Sequence, residues 1–356
     1  MKSNIFFAAL MCCLSLVFAT EASANSWRVN PDQRAGADFL DLNAAMADER
    51  VVDGDILYMD KGSTIATEQT ITKKVTIVGP GYFIGENDAD EAYFSNTMYL
   101  SANGIKITGL HTSTVYLSAC NLVIERCRVT GDISVTSSED CRATKILSCF
   151  ISGQVRGTGT KSAKWEILNN LFIYDKGTAI YGLEDALIDH NLVRCLMNCD
   201  YSNNLNQVFN STITNNIIWA YDSWYGSYDR SINNYDNWSL SDGNRISHNL
   251  FSTKAKANFP NNKFGITALV GEDDLAIFTP VESTEARDSY WIINSNGPAA
   301  KYAEDGSDCG PFAGAYPYVL CGYPLYVPRF ESITVPSQPN EEGKLIINMK
   351  IVNQNQ

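Results

Sequence analysis

Ile124-Glu-Arg-Cys127-Arg-Val129 is followed by Ile146-Leu-Ser-Cys149-Phe-Ile151, Ile167-Leu-Asn-Asn170-Leu-Phe172 and Ile188-Asp-His-Asn191-Leu-Val193. Two further copies close the series, Ile213-Thr-Asn-Asn216-Ile-Ile218 and Ile246-Ser-His-Asn249-Leu-Phe251. By subtraction of residue numbers, successive isoleucines lie 22, 21, 21, 25 and 33 residues apart. Self-similarity at a near-constant period is the mark of a stacked architecture. The copies lack the three-and-four apolar spacing of a helix. Each reads instead as two short strands flanking one Asn or Cys. Stacked in parallel at about 4.8 Å, such strands place each Ile over the last. The ladder Asn is expected to take the left-handed turn conformation and to hydrogen-bond along the stack. The chirality of parallel crossovers makes the coil right-handed. The expected fold class is therefore all-β: a right-handed parallel β-helix, or solenoid.

Working outward, Phe39, Leu42, Ala45 and Met46 share one face of a short helix suited to cap the first coil. Asp55-Ile-Leu-Tyr-Met59 and Val75-Thr-Ile-Val78 read as opening strands. Gly310-Pro-Phe-Ala-Gly-Ala-Tyr-Pro-Tyr318 and Gly322-Tyr-Pro324 read as an irregular C-terminal cap folded against the last coils. Ile333-Thr-Val335 and Leu345-Ile-Ile-Asn-Met-Lys-Ile351 alternate like a terminal strand pair. The expected organisation is a signal peptide over 1–24, a capped β-helix over 25–330, and a strand pair or extension over 331–356.

The Asn ladder and the coil length resemble the pectin-lyase-like superfamily of right-handed parallel β-helices over about Asp55 to Phe251. The Gly/Pro/Tyr segments are similar to those following β-helices in secreted proteins of Bacteroidetes-type bacteria. The resemblance implies a fold and not an activity, because that superfamily includes lyases, hydrolases, esterases and adhesins. Its polygalacturonase-like hydrolases carry Asn-Thr-Asp, Asp-Asp and Gly-His-Gly on successive coils, a set that does not occur here. Its pectate-lyase-like enzymes carry Arg-x-Pro-x-x-Arg, and Arg329 lacks that context. In its lyases an Arg or Lys neutralises a uronate carboxylate and abstracts the proton beside it.

Lys2, the apolar run Ile5–Phe18 and Ala22-Ser23-Ala24 form an export signal with cleavage after Ala24. Cys12 and Cys13 raise lipidation, but Met11 is a poor neighbour for a lipidated Cys. Cleavage leaves 332 residues (356 less 24) and a formal charge still at −13, since one Lys and one Glu depart together. An acidic balance argues against nucleic acid as a partner, and no segment is long and apolar enough for a membrane span. The expected location is secreted or on the outer cell surface. Eight of the ten cysteines remain, too sparse for a disulfide scaffold. Cys309 and Cys321, which bracket a turn-rich segment, are the pair most readily bridged.

Function is sought where the repeat is interrupted. The 33-residue gap holds Trp219, Tyr221, Trp224, Tyr225, Tyr228, Tyr235 and Trp238, with Asp222, Asp229, Arg230 and Asp236. Flat aromatic faces pack on the C–H faces of sugars, and nearby polar groups bind hydroxyls. Trp219, Tyr221, Asp222, Trp224, Tyr225, Tyr228, Asp229 and Arg230 are accordingly the expected contact residues for a polysaccharide or glycan. The same rings would equally pack a long loop onto its own coil.

Arg126, Arg128, Arg142, Lys145, Arg156, Lys161 and Lys164 form a basic stretch, with Arg156 set between Gly153 and Gly157. Interspersed acids make a mixed, solvated face its ordinary meaning. His190 and His248 precede ladder Asn residues and read as outward turn sites, about 10 Å apart. Cys127 and Cys149 read as buried, unreactive thiols. Glu86–Glu91 and Glu272-Asp273-Asp274 lack calcium-loop spacing and read as solvated turns. No metal site, cofactor or catalytic set is expected. The sequence supports a secreted or surface β-helix that binds carbohydrate. A polysaccharide lyase or glycoside hydrolase with unfamiliar residues, and an adhesin or structural protein, remain open.

Overall fold

The computed structural model describes residues 24–136, 140–174, 178–197, 205–222, 243–252, 260–266, 268–271, 274–280, 287–323, 329–336, 338 and 342–352. Three parallel sheets wind around one axis as a right-handed parallel β-helix. Sheet 1 has ten strands, from Ser26–Val29 and Ile56–Met59 to Thr212–Thr214 and Arg245–Ser247. Its register places Leu57, Ile77, Ile107, Ile124, Ile146, Ile167, Ile188, Ile213 and Ile246 in one column. All are buried, and that inward column is the spine of the core. Sheet 2 has nine strands, Thr64–Ile65 to Leu250–Phe251, and sheet 3 has seven, Gln69–Ile71 to Leu205–Phe209.

The expected Asn ladder is present in the bend between sheets 1 and 2. Cys149 N–H donates to Asn170 Oδ1 (2.8 Å), and Asn170 N–H to Asn191 Oδ1 (2.9 Å). The chain of bonds continues through Asn216, Asn249 and Asn262. Each Nδ2 donates to an isoleucine carbonyl, as Asn191 does to Ile167 (2.8 Å). Asn262 is one more rung, only 13 residues past Asn249, because the last coil is cut short.

The left-handed residue is not the ladder Asn but the one before it. Arg126, Ser148, Asn169, His190, Asn215, His248 and Asn261 have φ between 51° and 62°. A ladder Asn must aim its amide along the stack, so the turn itself falls to its neighbour, where Asn and His are tolerated. Most of these residues do not face water as expected, although Asn261 is exposed and His248 part-buried. Arg126, Ser148, Asn169, His190 and Asn215 are all buried.

What buries them is the C-terminal segment, which does more than cap the last coils. Residues 299–323 run back along the bend as a strap. Cys309 Sγ donates to the His248 carbonyl, and Glu304 N–H to Asn215 Oδ1. Asn169 Nδ2 donates to the Pro311 and Ala313 carbonyls, Ser148 Oγ to Tyr316 O (2.6 Å), and Arg126 Nη1 to Tyr323 O (3.0 Å). Gly314, at φ 81°, passes so close that a Cβ there would sit 2.7 Å from the His190 ring. The strap and the residues just before it make a second core against the outer face of sheet 2, where Phe150, Leu171, Leu192, Ile217 and Leu250 meet Phe278, Trp291 and Tyr318. Cys309 and Cys321 are not bridged; the strap sets them against different coils, Cys309 beside His248, and Cys321 N–H donates to Asp288 Oδ2 (2.6 Å).

At the N-terminus, helix Leu42–Ala47 buries Leu42, Ala45 and Met46 over the first coil. Asp41 caps it by accepting from Ala44 N–H (2.7 Å). Arg329–Thr334 pairs antiparallel with Asn348–Val352. No helix among the described residues is long and apolar enough to cross a membrane.

Candidate functional site

Of the eight expected contact residues, the structure describes one in full. Trp219 is 9% exposed and belongs to the core beneath the C-terminal segment. Packed into that second core, it does not offer a free face to a sugar. Tyr221 and Asp222 lie on strand Ile217–Asp222, and their side chains are outside the described residues. Trp224, Tyr225, Tyr228, Asp229 and Arg230 also lie outside them, as do Tyr235, Asp236 and Trp238.

The basic stretch does not form one face. Arg126 is buried under the strap, Arg128 pairs with Asp88 (3.0 Å) and Glu91 (3.1 Å), Arg142 with Asp140 (3.2 Å), and Lys145 with Glu166 (2.9 Å). Arg156 alone among these arginines has no carboxylate partner among the described residues. It is exposed, on the outer face of sheet 3, with Gln154 Oε1 as its acceptor.

That outer face is open to solvent. Strand register stacks Thr70, Tyr99, Tyr116, Ser134, Arg156 and Tyr181 in a single outward column. Alternation explains it: Met98, Leu100, Val115, Leu117, Ile133, Val155 and Ile180 point into the core, so the residues between them point out. Tyr99 and Tyr116 stack at 5.4 Å between centroids and 22° between planes. Tyr99 covers one side of Tyr116. On the other side the next coil carries only Ser134, 8% exposed, and the coil after that carries Arg156. Tyr116 and Arg156 thus flank a small residue across about 9.6 Å of stacking, two coils at about 4.8 Å each.

The backbone beside Arg156 is irregular for a local reason. Strand Val155–Ala163 breaks register with Ile180–Glu184 between Arg156 and Ala163. Gly157 and Gly182 let the two backbones approach: a Cβ on Gly157 would lie 2.3 Å from the Gly182 carbonyl. Thr158 N–H then donates to Ser162 Oγ (2.9 Å), closing an excursion that carries exposed Thr160 and Lys161. Bulges of this kind re-aim side chains and recur beside functional sites.

A separate polar cluster sits at the N-terminal end of sheet 2, partly from the acidic stretch expected to be solvated. Glu91 is 4% exposed; it accepts from Phe83 N–H (2.5 Å) and Arg128, and is hydrogen-bonded to His111 Nδ1. Burial pushes the Glu91 carboxyl up, but these bonds and the nearby cations outweigh it and hold the group below its ordinary value. Tyr93 stacks on His111 at 4.1 Å, and Asp88 also pairs with Arg287 (3.3 Å). Asp88 and Glu91 are drawn in because His111 from the adjoining coil and Arg128 from the coil after it both face them. Glu272 and Asp273 lie outside the described residues. No group of three metal-ligating side chains occurs among the described residues.

Sequence reasoning missed Tyr99, Tyr116, Ser134 and Tyr181. The signal was a second repeat, apolar-x-apolar, in Met98-Tyr-Leu100, Val115-Tyr-Leu117 and Ile133-Ser-Val135. Three residues are too few to stand out without the Ile-x-x-Asn frame to align them.

No protein-family model matches the chain, and no curated protein does. Among solved structures, the chain is similar to the crystal structure of pectate lyase Pel9A. The two share 12% identity over 82% of this chain and 98% of that one, with a TM-score of 0.44. At that identity the likeness is one of fold alone.

Proposed function

We propose that this protein is an exported β-helix that binds an acidic polysaccharide along the outer face of sheet 3. The observation that carries the reading is the pairing of Tyr116 with Arg156 across Ser134. A uronic acid residue offers a C–H face that packs on an aromatic ring and a carboxylate that a guanidinium takes in two parallel bonds. In a chain of formal charge −13, an exposed Arg without a carboxylate partner among the described residues is a cation left available. Tyr99 and Tyr181 extend the same column and would contact neighbouring sugars. Export by removal of residues 1–24 would place the protein among such polymers.

The test is calorimetric titration of the mature chain with uronate-containing and neutral oligosaccharides. Tyr116→Ala and Arg156→Met should each weaken uronate binding at least tenfold, about 1.4 kcal/mol. Arg156→Met should also remove the preference for charged over neutral sugar. A Trp224→Ala/Tyr225→Ala variant should leave binding unchanged. If that loop variant loses binding and the sheet 3 variants keep it, the glycan lies on the loop and this reading fails.

Arg156 beside the bulge favours one second reading, elimination from uronate polymers with Arg156 neutralising the carboxylate. Turnover would generate a conjugated double bond and its near-ultraviolet absorbance. A flat absorbance across a uronate panel would leave binding without catalysis. Among the described residues the column holds no carboxylate, so it does not support a paired-carboxylate hydrolase.

A further inference from the structure

We infer that Arg194 and Trp291 form a second site, on the outer side of sheet 2, that takes one carboxylate or sulfate group. Arg194 stands in register between Ile173 and Trp219, its guanidinium carbon 5.1 Å from the centre of the Trp291 ring. Tyr290 packs edge-on against the same indole, 5.2 Å between centroids. The contact joins the coil to the 3-10 turn Asp288–Trp291 of the C-terminal segment, a place quite separate from sheet 3.

The other described arginines show what is unusual. Arg28, Arg34, Arg50, Arg126, Arg128, Arg142, Arg245 and Arg287 each pair with an Asp or Glu. Arg156 has none but is exposed to water. Arg194 is half-buried and also has none among the described residues. Burial lowers its pKa, the direction expected for a cation withdrawn from water with no counter-charge in place.

Two orphan donors lie in this contact. Arg194 Nε and Trp291 Nε1 are both buried with no hydrogen-bond acceptor among the described residues, and Trp291 is only 2% exposed. Buried N–H groups are nearly always partnered, and leaving one unmade costs about 1–3 kcal/mol. A water molecule would satisfy a donor but would not balance the charge. An oxyanion does both, with one oxygen for each N–H and its charge against the guanidinium. Access from solvent is by the half-exposed side of Arg194, which suits a small anionic group rather than a long chain. Such a group is either a free inorganic or carboxylate ion, or a substituent on a larger glycan.

The experiment follows the Trp291 indole N–H by nitrogen–proton correlation NMR of the full mature chain, with the resonance assigned by its loss in Trp291→Phe. Sodium sulfate and sodium acetate are titrated against sodium chloride at constant ionic strength. The expected result is a saturable shift of that resonance with sulfate or acetate and not with chloride. Arg194→Met should abolish it, Arg194→Lys should weaken it several-fold, and Arg156→Met should leave it unchanged, which separates this site from the one on sheet 3. The other indole signals report whether each variant is folded, and Arg194→Lys keeps the test alive if Arg194→Met is not. A sulfated or uronic oligosaccharide that saturates the shift at tenfold lower concentration than the free ion supports a glycan substituent as the source. Equal saturation supports a free anion. No saturable shift, or one that survives in both Arg194 variants, overturns the site.

Discussion

Asp288 lies within the C-terminal segment and Glu91 among the early coils, and although burial pushes both carboxyls up, their titrations end on opposite sides of the ordinary values. Asp288 is 2% exposed and accepts from Tyr318 OH (3.2 Å) and Cys321 N–H (2.6 Å), yet burial outweighs those bonds and pushes its carboxyl up. Its contribution to stability is full below its ordinary value of 3.8 and is lost as pH rises through its higher folded value. Glu91, held down by His111, Phe83 N–H and Arg128, contributes fully above its ordinary value of 4.5 and loses that as pH falls through its lower folded value. Glu91→Gln should therefore be less stable than the parent near neutrality, by about 1–3 kcal/mol, and converge with it in acid. Asp288→Asn should do the reverse, gaining on the parent as pH rises. Urea midpoints between about pH 3 and 7 check both; parallel curves for parent and variants would contradict the assignment. Neither role was legible beforehand. Glu91 belongs to a run of acids that reads as a solvated turn, and only the arrival of Arg128 and His111 from neighbouring coils makes it a buried anchor.

The element with the largest unexpected part is the strap of residues 299–323. Its Gly, Pro and Tyr content was readable as irregular structure near the end of the stack. Its path was not, since it is set by backbone and side-chain groups on the bends of distant coils. The same path explains why His190 and Asn215 are buried although their place in the repeat suggests a turn open to water. Gly314 is the sensitive point, with φ at 81° and the His190 ring against it. Gly314→Ala should cost about 1–3 kcal/mol from strain and close contact together. The cost should fall on the strap, because each coil is held independently by its neighbours. Limited proteolysis should then cut within 299–323 faster while the coils from Ile105 to Val193 stay protected. Uniform acceleration across the chain would show that strap and coils open as one unit. The candidate glycan face has the same history at element scale: Arg156 was visible as one basic residue among seven, and sheet register alone set it two coils from Tyr116.

For the whole molecule, nearest-neighbour stacking makes position along the axis matter. Ile167→Ala, with coils on both sides and no exposure, should cost about 2–5 kcal/mol. Ile246→Ala, 8% exposed near the short last coil, should cost measurably less by the same denaturant midpoint. Equal losses would mean that the stack does not fray from that end. The fold was legible because its period is written locally: six coils repeat Ile-x-x-Asn or Ile-x-x-Cys, and parallel strands can satisfy that pattern only by stacking. The left-handed turn was misplaced by one residue, since the pattern marks which residue is constant and not which φ it adopts. Sequence by itself determined the solenoid, the isoleucine column, the Asn ladder and the capping helix, all products of contacts between equivalent positions. The tertiary structure alone decided which faces stay open, because that depends on where a non-repeating segment lies down. The C-terminal segment packs against much of sheet 2, where Trp219 is buried, while Tyr99, Tyr116, Arg156 and Tyr181 stand on a face of sheet 3 that meets solvent.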